Sequence, residues 1–82
     1  MTSNKKRLVD AFLTNKSQKE MLDFLEAILS PKELASLSMR LKIVRLLKKG
    51  MPQRQIAEKL GVGIATVTRG SKQLKKGRFK KI

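Results

Sequence analysis

Apolar residues recur every three or four positions along most of the chain, a period that is typical of amphipathic helices. The pattern predicts five helices and an all-α fold, a small helical domain. With the second and third helices counted from their capping serines, the expected spans are about 4–14, 17–29, 30–49, 52–60 and 63–74. Glycine and proline mark the sharpest breaks in the pattern.

Two helix starts carry a capping box, in which a serine hydroxyl accepts from an amide three residues later while a glutamate reaches back. The pairs are Ser17 with Glu20 and Ser30 with Glu33. Pro31 suits the first helical position, because that position needs no amide hydrogen. Gly50 is expected to end the third helix.

The helices carry more apolar surface than one small chain can cover. The second helix is apolar on more than one side, and the third is apolar on two faces. With 82 residues available, we expect a second subunit to cover part of this surface. The alternative is packing within one chain. The predicted organisation is one domain, with residues 1–50 for dimerisation and the central helix, 51–75 as a pair of shorter helices, and 76–82 as a basic C-terminal tail.

Residues 53–71 have the spacing of a helix-turn-helix, whose second helix enters the DNA major groove. Residues 51–75 are therefore predicted to form a DNA-reading head. Ala57 stands where the two helices must approach closely, and Gly61 follows the first helix, where we expect positive φ. The apolar wedge between the helices is expected to contain Ile56, Leu60, Val62 and Val67.

The second helix of this motif divides into two faces. The inner face is expected to hold Val67, Gly70, Ser71 and Leu74, and the outer face Ala65, Thr68, Arg69 and Lys72, with Ile64 at the boundary. Ile64 and Ala65 suit thymine methyls, and Thr68 suits a base edge. The candidate phosphate contacts are the Gly63 amide, Arg54, Lys72 and Lys75. For each single lysine, a solvated charge remains the alternative.

The positive charge is concentrated in the half that contains this motif. The formal net charge is +14, of which residues 1–41 contribute +2 and residues 42–82 contribute +12. Such a field attracts a polyanion and gives affinity through counterion release. Solubility alone and a membrane surface are weaker alternatives. Four basic residues lie in the tail, which is predicted to be a mobile arm.

Composition argues against an enzyme. The chain has no cysteine and no histidine, and no nucleophile–base set or metal cluster is visible. We therefore expect neither catalysis nor a bound metal. Without a membrane-spanning run or a signal-peptide pattern, a cytoplasmic location with no membrane partner is expected.

Two arginines and a glycine indicate a ligand site. Gly70 inside a helix costs about 1 kcal/mol relative to alanine, so close packing or a ligand is expected there; a flex point or an early helix end is the alternative. Arg40 has no acidic neighbour one turn away and suits a planar carboxylate, although snorkelling to solvent or pairing with a distant glutamate is an equal alternative. Together with Arg69, these residues favour a small flat carboxylate ligand between the central and second reading-head helices.

The segment 63–71, with Gln53-Arg54 and the stretch 40–44 before it, closely resembles the Trp repressor family. The resemblance covers about residues 29–75. It implies an intertwined all-helical homodimer that binds a palindromic operator in double-stranded DNA when L-tryptophan is present as corepressor. It also implies that Arg40 and Arg69 sandwich the indole, that Arg69 grips the carboxylate, and that Gly70 leaves room for the ring.

The same resemblance assigns further residues. Ser30 and the carbonyls of Ala27 and Leu29, from the partner subunit, would receive the ammonium group. DNA contacts are implied for Ile64, Ala65, Thr66 and Thr68, with Arg54 near the phosphates.

The chain departs from the family pattern at three places. Pro52 stands where a serine cap is usual, in a loop that is one residue short, and Gln73 replaces a serine near the ligand. The tail stands in place of the family's last helix. Two rivals therefore remain: a ligand-independent helix-turn-helix regulator, and a non-specific nucleic-acid-binding protein. With only three aromatic residues, single-strand recognition by base stacking is disfavoured.

Overall fold

The computed structural model describes residues 2–82, and every regular element within them is an α-helix. The helices are α1 (Ser3–Thr14), α2 (Gln18–Ile28), α3 (Pro31–Lys48), α4 (Gln53–Leu60) and α5 (Ile64–Lys75). The all-α prediction is confirmed, and each predicted boundary agrees to within one residue. The chain divides after Leu34 into two compact units.

Pro52 corrects one detail of the prediction. It was expected inside the first turn of α4, but it takes an extended conformation with φ −61° and ψ 145° and precedes the helix as its cap. Proline has no hydroxyl or carboxylate, so α4 begins without a side-chain capping bond. The helix is instead anchored through its buried apolar residue, Ile56.

The capping box at the start of α3 is complete. The Glu33 amide donates to the Ser30 hydroxyl at 3.1 Å, and the Ser30 amide donates to the Glu33 carboxylate at 2.9 Å. These bonds favour the charged carboxylate, so the Ser30 backbone and side chain lower the pKa of Glu33. This contribution to stability is present above the usual carboxyl pKa and is lost as the pH falls through the lowered one.

The capping box at the start of α2 differs from the prediction in the backbone amide that the glutamate accepts from. Ser17 accepts from the Glu20 amide at 3.1 Å, as predicted, but the Glu20 carboxylate accepts from the Lys16 amide at 2.9 Å. The carboxylate thus reaches the residue before the cap. Both bonds hold α2 at its predicted start.

In the first unit, an edge-to-face pair of aromatic rings connects α1 and α2. The rings of Phe12 and Phe24 lie 5.3 Å apart at 83°, joining α1 to α2, an arrangement that aromatic quadrupoles favour. Much apolar surface nevertheless stays exposed; Leu13, for example, is 73% exposed. The other large exposed apolar residues of this unit are Leu8, Val9, Leu22 and Ile28.

The second unit has a small core to which three helices each contribute one fully buried residue. Ile43 of α3, Ile56 of α4 and Val67 of α5 are at most 1% exposed. The partly buried residues packed against them include Met39, Leu46, Leu47, Met51, Ala57, Leu60 and Val62. One apolar face of α3 thus packs in the core of the unit, while Leu37 and Leu41 on the other face are open to solvent.

The tail is folded back, and the prediction of a mobile arm is wrong. Gly77 adopts φ +78° after α5. Its amide donates to the Leu74 carbonyl at 2.9 Å, and the Arg78 amide donates to the Gln73 carbonyl at 3.3 Å. These two bonds form a Schellman motif, which reverses the chain and satisfies the helix's last carbonyls. The Lys48 ammonium group then donates to the Phe79 carbonyl at 2.9 Å.

Gly61 gives a direct test of the turn between α4 and α5. Its φ is +65°, and a Cβ built there would meet nothing within 4 Å. Gly61→Ala should therefore lower the free energy of unfolding by about 1 kcal/mol through backbone strain alone. Gly61→Asn is the matched control and should lie closer to the native value, because asparagine tolerates this conformation. Equal losses for both variants in urea denaturation would contradict this account.

Candidate nucleic-acid interface and ligand pocket

Helices α4 and α5 form the reading head, and two kinds of contact fix their relative position. Ile56 and Val67 meet in the core without solvent exposure. Between the helices, the Val62 amide donates to the Ala57 carbonyl at 3.1 Å across the left-handed Gly61. The Thr68 hydroxyl also donates to the Gln53 side-chain oxygen at 2.9 Å. The predicted helix-turn-helix geometry is present.

The outer surface of α5 is open to solvent. Ile64 is 51% exposed, and Ala65, Thr66, Arg69 and Lys72 are exposed as well. Val67 and Ser71 are buried on the opposite side. The predicted division into two faces is confirmed, although Thr68 is half-buried at the boundary.

The N-terminus of α5 is a candidate anion-binding site, although the Thr66 amide already donates to the Gly63 carbonyl at 3.1 Å. Gly63 caps the helix with no side-chain hydrogen bond, so the first amides lack the usual capping partner. A Cβ at Gly63 would meet nothing within 4 Å, and the approach is therefore unobstructed. Such a terminus attracts phosphate through its amides and dipole. Arg54, Lys72 and Lys75 are exposed cations on the same two helices.

A cavity of about 190 Å³ lies within the second unit. The residues that line it come from α3, α5 and the tail, and they are Arg40, Ile43, Val44, Thr66, Arg69, Gly70, Gln73 and Phe79. None of these lining residues is acidic, while two are arginines. The cavity therefore combines positive charge with an apolar wall, which suits a flat anion with an apolar body.

Gly70 is not required by contact between helices. A Cβ there would lie 3.4 Å from Ile43 Cγ2 and 3.6 Å from Leu47 Cδ1, which are ordinary van der Waals distances. Helix α5 continues to Lys75, so the alternative of an early helix end is excluded. Gly70 also lines the cavity.

The structure brings Arg40, Arg69 and Gly70 together, as the sequence predicted. Thr66, considered only for DNA, lines the same cavity. Ala27, Leu29 and Ser30 belong to the first unit and are not among the lining residues; their implied role involves a second subunit and stays a prediction. Ser30 has a local role as the cap of α3.

Phe79 is the lining residue that the sequence reasoning missed. It lies in a segment whose basic composition indicated solvent exposure. The available signal was Gly77, three residues after the predicted helix end, followed by an apolar residue two positions later. That order is typical of a helix stop with an apolar contact behind it.

Comparison with known proteins identifies the family. The model for the family described as Trp repressor protein matches residues 3–80. The chain belongs to the Trp repressor family. Members of this family are DNA-binding transcriptional regulators and not enzymes, and this chain has the helix-turn-helix reading head on which that activity depends.

Several proteins named Trp operon repressor homolog are similar to this member of the Trp repressor family. The Vibrio vulnificus (strain YJ016) protein is 46% identical over 70 residues, covering 84% of this chain and 69% of the relative. The Vibrio campbellii protein is 52% identical over 59 residues, covering 71% and 57%. The Vibrio atlanticus protein is 44% identical over 75 residues, covering 88% and 74%.

Residues 2–82 contain neither a candidate membrane span nor a candidate metal cluster. No helix in this range is long and apolar enough to cross a membrane. The same residues contain no group of three or more acidic, histidine or cysteine side chains suited to a metal ion.

The bond between Thr68 and Gln53 should contribute to stability as well as geometry. Thr68→Val removes the donor and leaves a half-buried side-chain oxygen without its partner, so unfolding free energy should fall by about 1 kcal/mol. Thr66→Val is the matched control on the exposed surface and should change stability much less. Equal effects in thermal denaturation would show that the bond contributes nothing.

Proposed function

We propose that this repressor binds a palindromic operator as a homodimer and that L-tryptophan is its corepressor. The observation that carries the proposal is the convergence of Arg40, Arg69 and Gly70 on one cavity without an acidic lining residue. A cytoplasmic location accords with such a regulator and belongs to the same proposal.

The ligand's charged groups have separate partners in this proposal. Arg69 binds the carboxylate through paired hydrogen bonds, which a guanidinium fork provides. Arg40 and Arg69 stack on opposite faces of the indole, a favourable contact between a cation and an aromatic face. Gly70 leaves space for the ring. Ser30 and the carbonyls of Ala27 and Leu29 of a second copy receive the ammonium group.

The homodimer is supported by the apolar surface that one chain leaves uncovered. Exposed leucines, isoleucine and valine lie on α1 and α2, and Leu37 and Leu41 are exposed on α3. Burying such a surface against a second copy is favourable at about 25 cal/mol per Å². A two-fold pair of reading heads then presents two α5 helices to half-sites about one helical turn apart, about 34 Å.

DNA contact falls to the exposed face of α5 and the cations around it. Ile64 and Ala65 approach thymine methyls, while Thr66 and Thr68 reach base edges directly or through water. The Gly63 amide, Arg54, Lys72 and Lys75 contact phosphates. Arg69 has a double position, because it lines the cavity and is also exposed on this face.

The double position of Arg69 provides the coupling between ligand and DNA. A ligand held between α3 and α5 favours one orientation of the reading head over others. If that orientation is the one that spans both half-sites, tryptophan raises operator affinity by shifting the population. The main competing hypothesis is a ligand-independent regulator with the same reading head, whose affinity tryptophan would leave unchanged.

Phosphate contacts of α5 can be separated from general charge. The double variant Lys72→Gln, Lys75→Gln should reduce the magnitude of the slope of log affinity against log salt by about 3 to 4 per dimer. Each lost phosphate contact lowers that magnitude by about 0.9. Lys5→Gln with Lys6→Gln in α1 changes the net charge equally and should leave the slope nearly unaltered. Equal slopes for both double variants, in fluorescence anisotropy, would favour the non-specific alternative.

Gly70 distinguishes a ligand role from a packing role. Gly70→Ala should raise stability by up to about 1 kcal/mol, since alanine favours the helix and its Cβ meets only ordinary contacts. The same change should weaken L-tryptophan binding about tenfold by overpacking the occupied cavity. Calorimetry and thermal denaturation measure the two effects. Unchanged tryptophan affinity would reject the proposed ligand position, and no binding by the native chain at millimolar tryptophan would reject the corepressor.

A further inference from the structure

Phe79 is placed in the cavity by the fold of the tail. The left-handed Gly77 reverses the chain after α5, and the Lys48 ammonium group holds the Phe79 carbonyl at 2.9 Å. Phe79 is half-buried, whereas Arg78 and Lys80 on either side are exposed. The tail therefore turns its aromatic residue inward and its cations outward.

The aromatic residue lines the cavity without filling it. A volume of about 190 Å³ remains while Phe79 is in the lining together with Arg40 and Arg69. A residue that occupied the ligand's place would leave no such space beside the guanidinium groups. Its position is therefore compatible with a bound molecule, and it adds an aromatic surface to a wall otherwise formed by Ile43, Val44 and the side of α5.

We infer that Phe79 is a specificity-determining residue of this pocket, contacting the aromatic body of the bound amino acid and favouring aromatic over aliphatic ligands. The inference rests on the proposed function, because it takes the ligand to be the corepressor of the same cavity. Aromatic pairs prefer offset or edge-to-face contact and contribute beyond the area they bury. The two arginines select the carboxylate, and Phe79 selects the side chain attached to it.

Ligand binding also affects the fold of the tail. Because the ligand contacts Phe79, its binding stabilises the folded tail and fixes the four cations that surround Phe79 in sequence, which are Lys76, Arg78, Lys80 and Lys81. By linkage, any contact that favours the folded tail also strengthens ligand binding by the same factor. The tail thereby joins ligand selection to the positive surface of the second unit.

The test is calorimetric titration of the full chain with L-tryptophan. Phe79→Ala should weaken binding about 2- to 10-fold, the range expected for loss of one aromatic contact. Phe79→Tyr keeps the ring and should bind like the native chain. Ile82→Ala removes another apolar side chain of the tail that does not line the cavity, and it should also leave the affinity unchanged.

A second measurement reports the contact itself. In the native chain, NMR should show an Overhauser effect between the Phe79 ring protons and the indole protons of bound tryptophan. The preference for L-tryptophan over L-leucine should shrink in Phe79→Ala. Circular dichroism should confirm that α5 is intact, because the substitution lies outside every helix.

The outcomes separate the two claims. Equal affinities for the native chain and Phe79→Ala, with both binding tryptophan, would overturn the role of Phe79 and leave the corepressor standing. Tighter binding by Phe79→Ala would show that the ring competes with the ligand, which also overturns the inference. Failure of the native chain to bind tryptophan would reject the corepressor and, with it, the assignment of Phe79.

Discussion

The second unit depends on the burial of three branched aliphatic side chains, one from each of its three helices. Ile43, Ile56 and Val67 are removed from solvent together, and each such side chain contributes about 1.5 to 3 kcal/mol when fully buried. Together with the partly buried residues packed around them, these three side chains set the orientation of the reading head within the unit. The exposed face of α5 and the cavity beside α3 are therefore both positioned by this core.

In this unit, the charged side chains lie outside the buried apolar core. Residues 42–82 carry a formal net charge of +12, and mutual repulsion among so many cations opposes a compact state. The apolar contacts that hold α3, α4 and α5 together must offset this repulsion. A polyanion relieves it, so nucleic acid binding and folding favour the same arrangement of the chain. The cations are thus better accommodated in the complex than in the free protein.

The helices and the site were accessible from the sequence to different degrees. The helix spans followed from the period of the apolar residues, from the capping pair Ser30 and Glu33, and from the turn at Gly61. These signals act within a few residues. The site of Arg40, Arg69 and Gly70 was suggested by the lack of acidic neighbours around Arg40 and by the glycine after Arg69, and the resemblance to the family implied the same residues. The bond from Thr68 to Gln53 joins residues 15 positions apart, and local patterns carry no signal for it. Likewise, the basic composition of the tail concealed the helix stop at Gly77, which places Phe79 at the cavity.

The hydroxyl group of Thr68 has only one proton, and the structure directs that proton to Gln53. Its oxygen retains lone pairs and can only accept. In the proposed complex, an acceptor that faces the major groove would distinguish bases by their exocyclic amino groups, which are N6 of adenine and N4 of cytosine. The hydrogen bond between Thr68 and Gln53, which joins α5 to α4, therefore also determines which groups Thr68 can contact. Thr68 would favour amino groups at the base edges, or a water that donates to it, over the carbonyl groups of guanine and thymine.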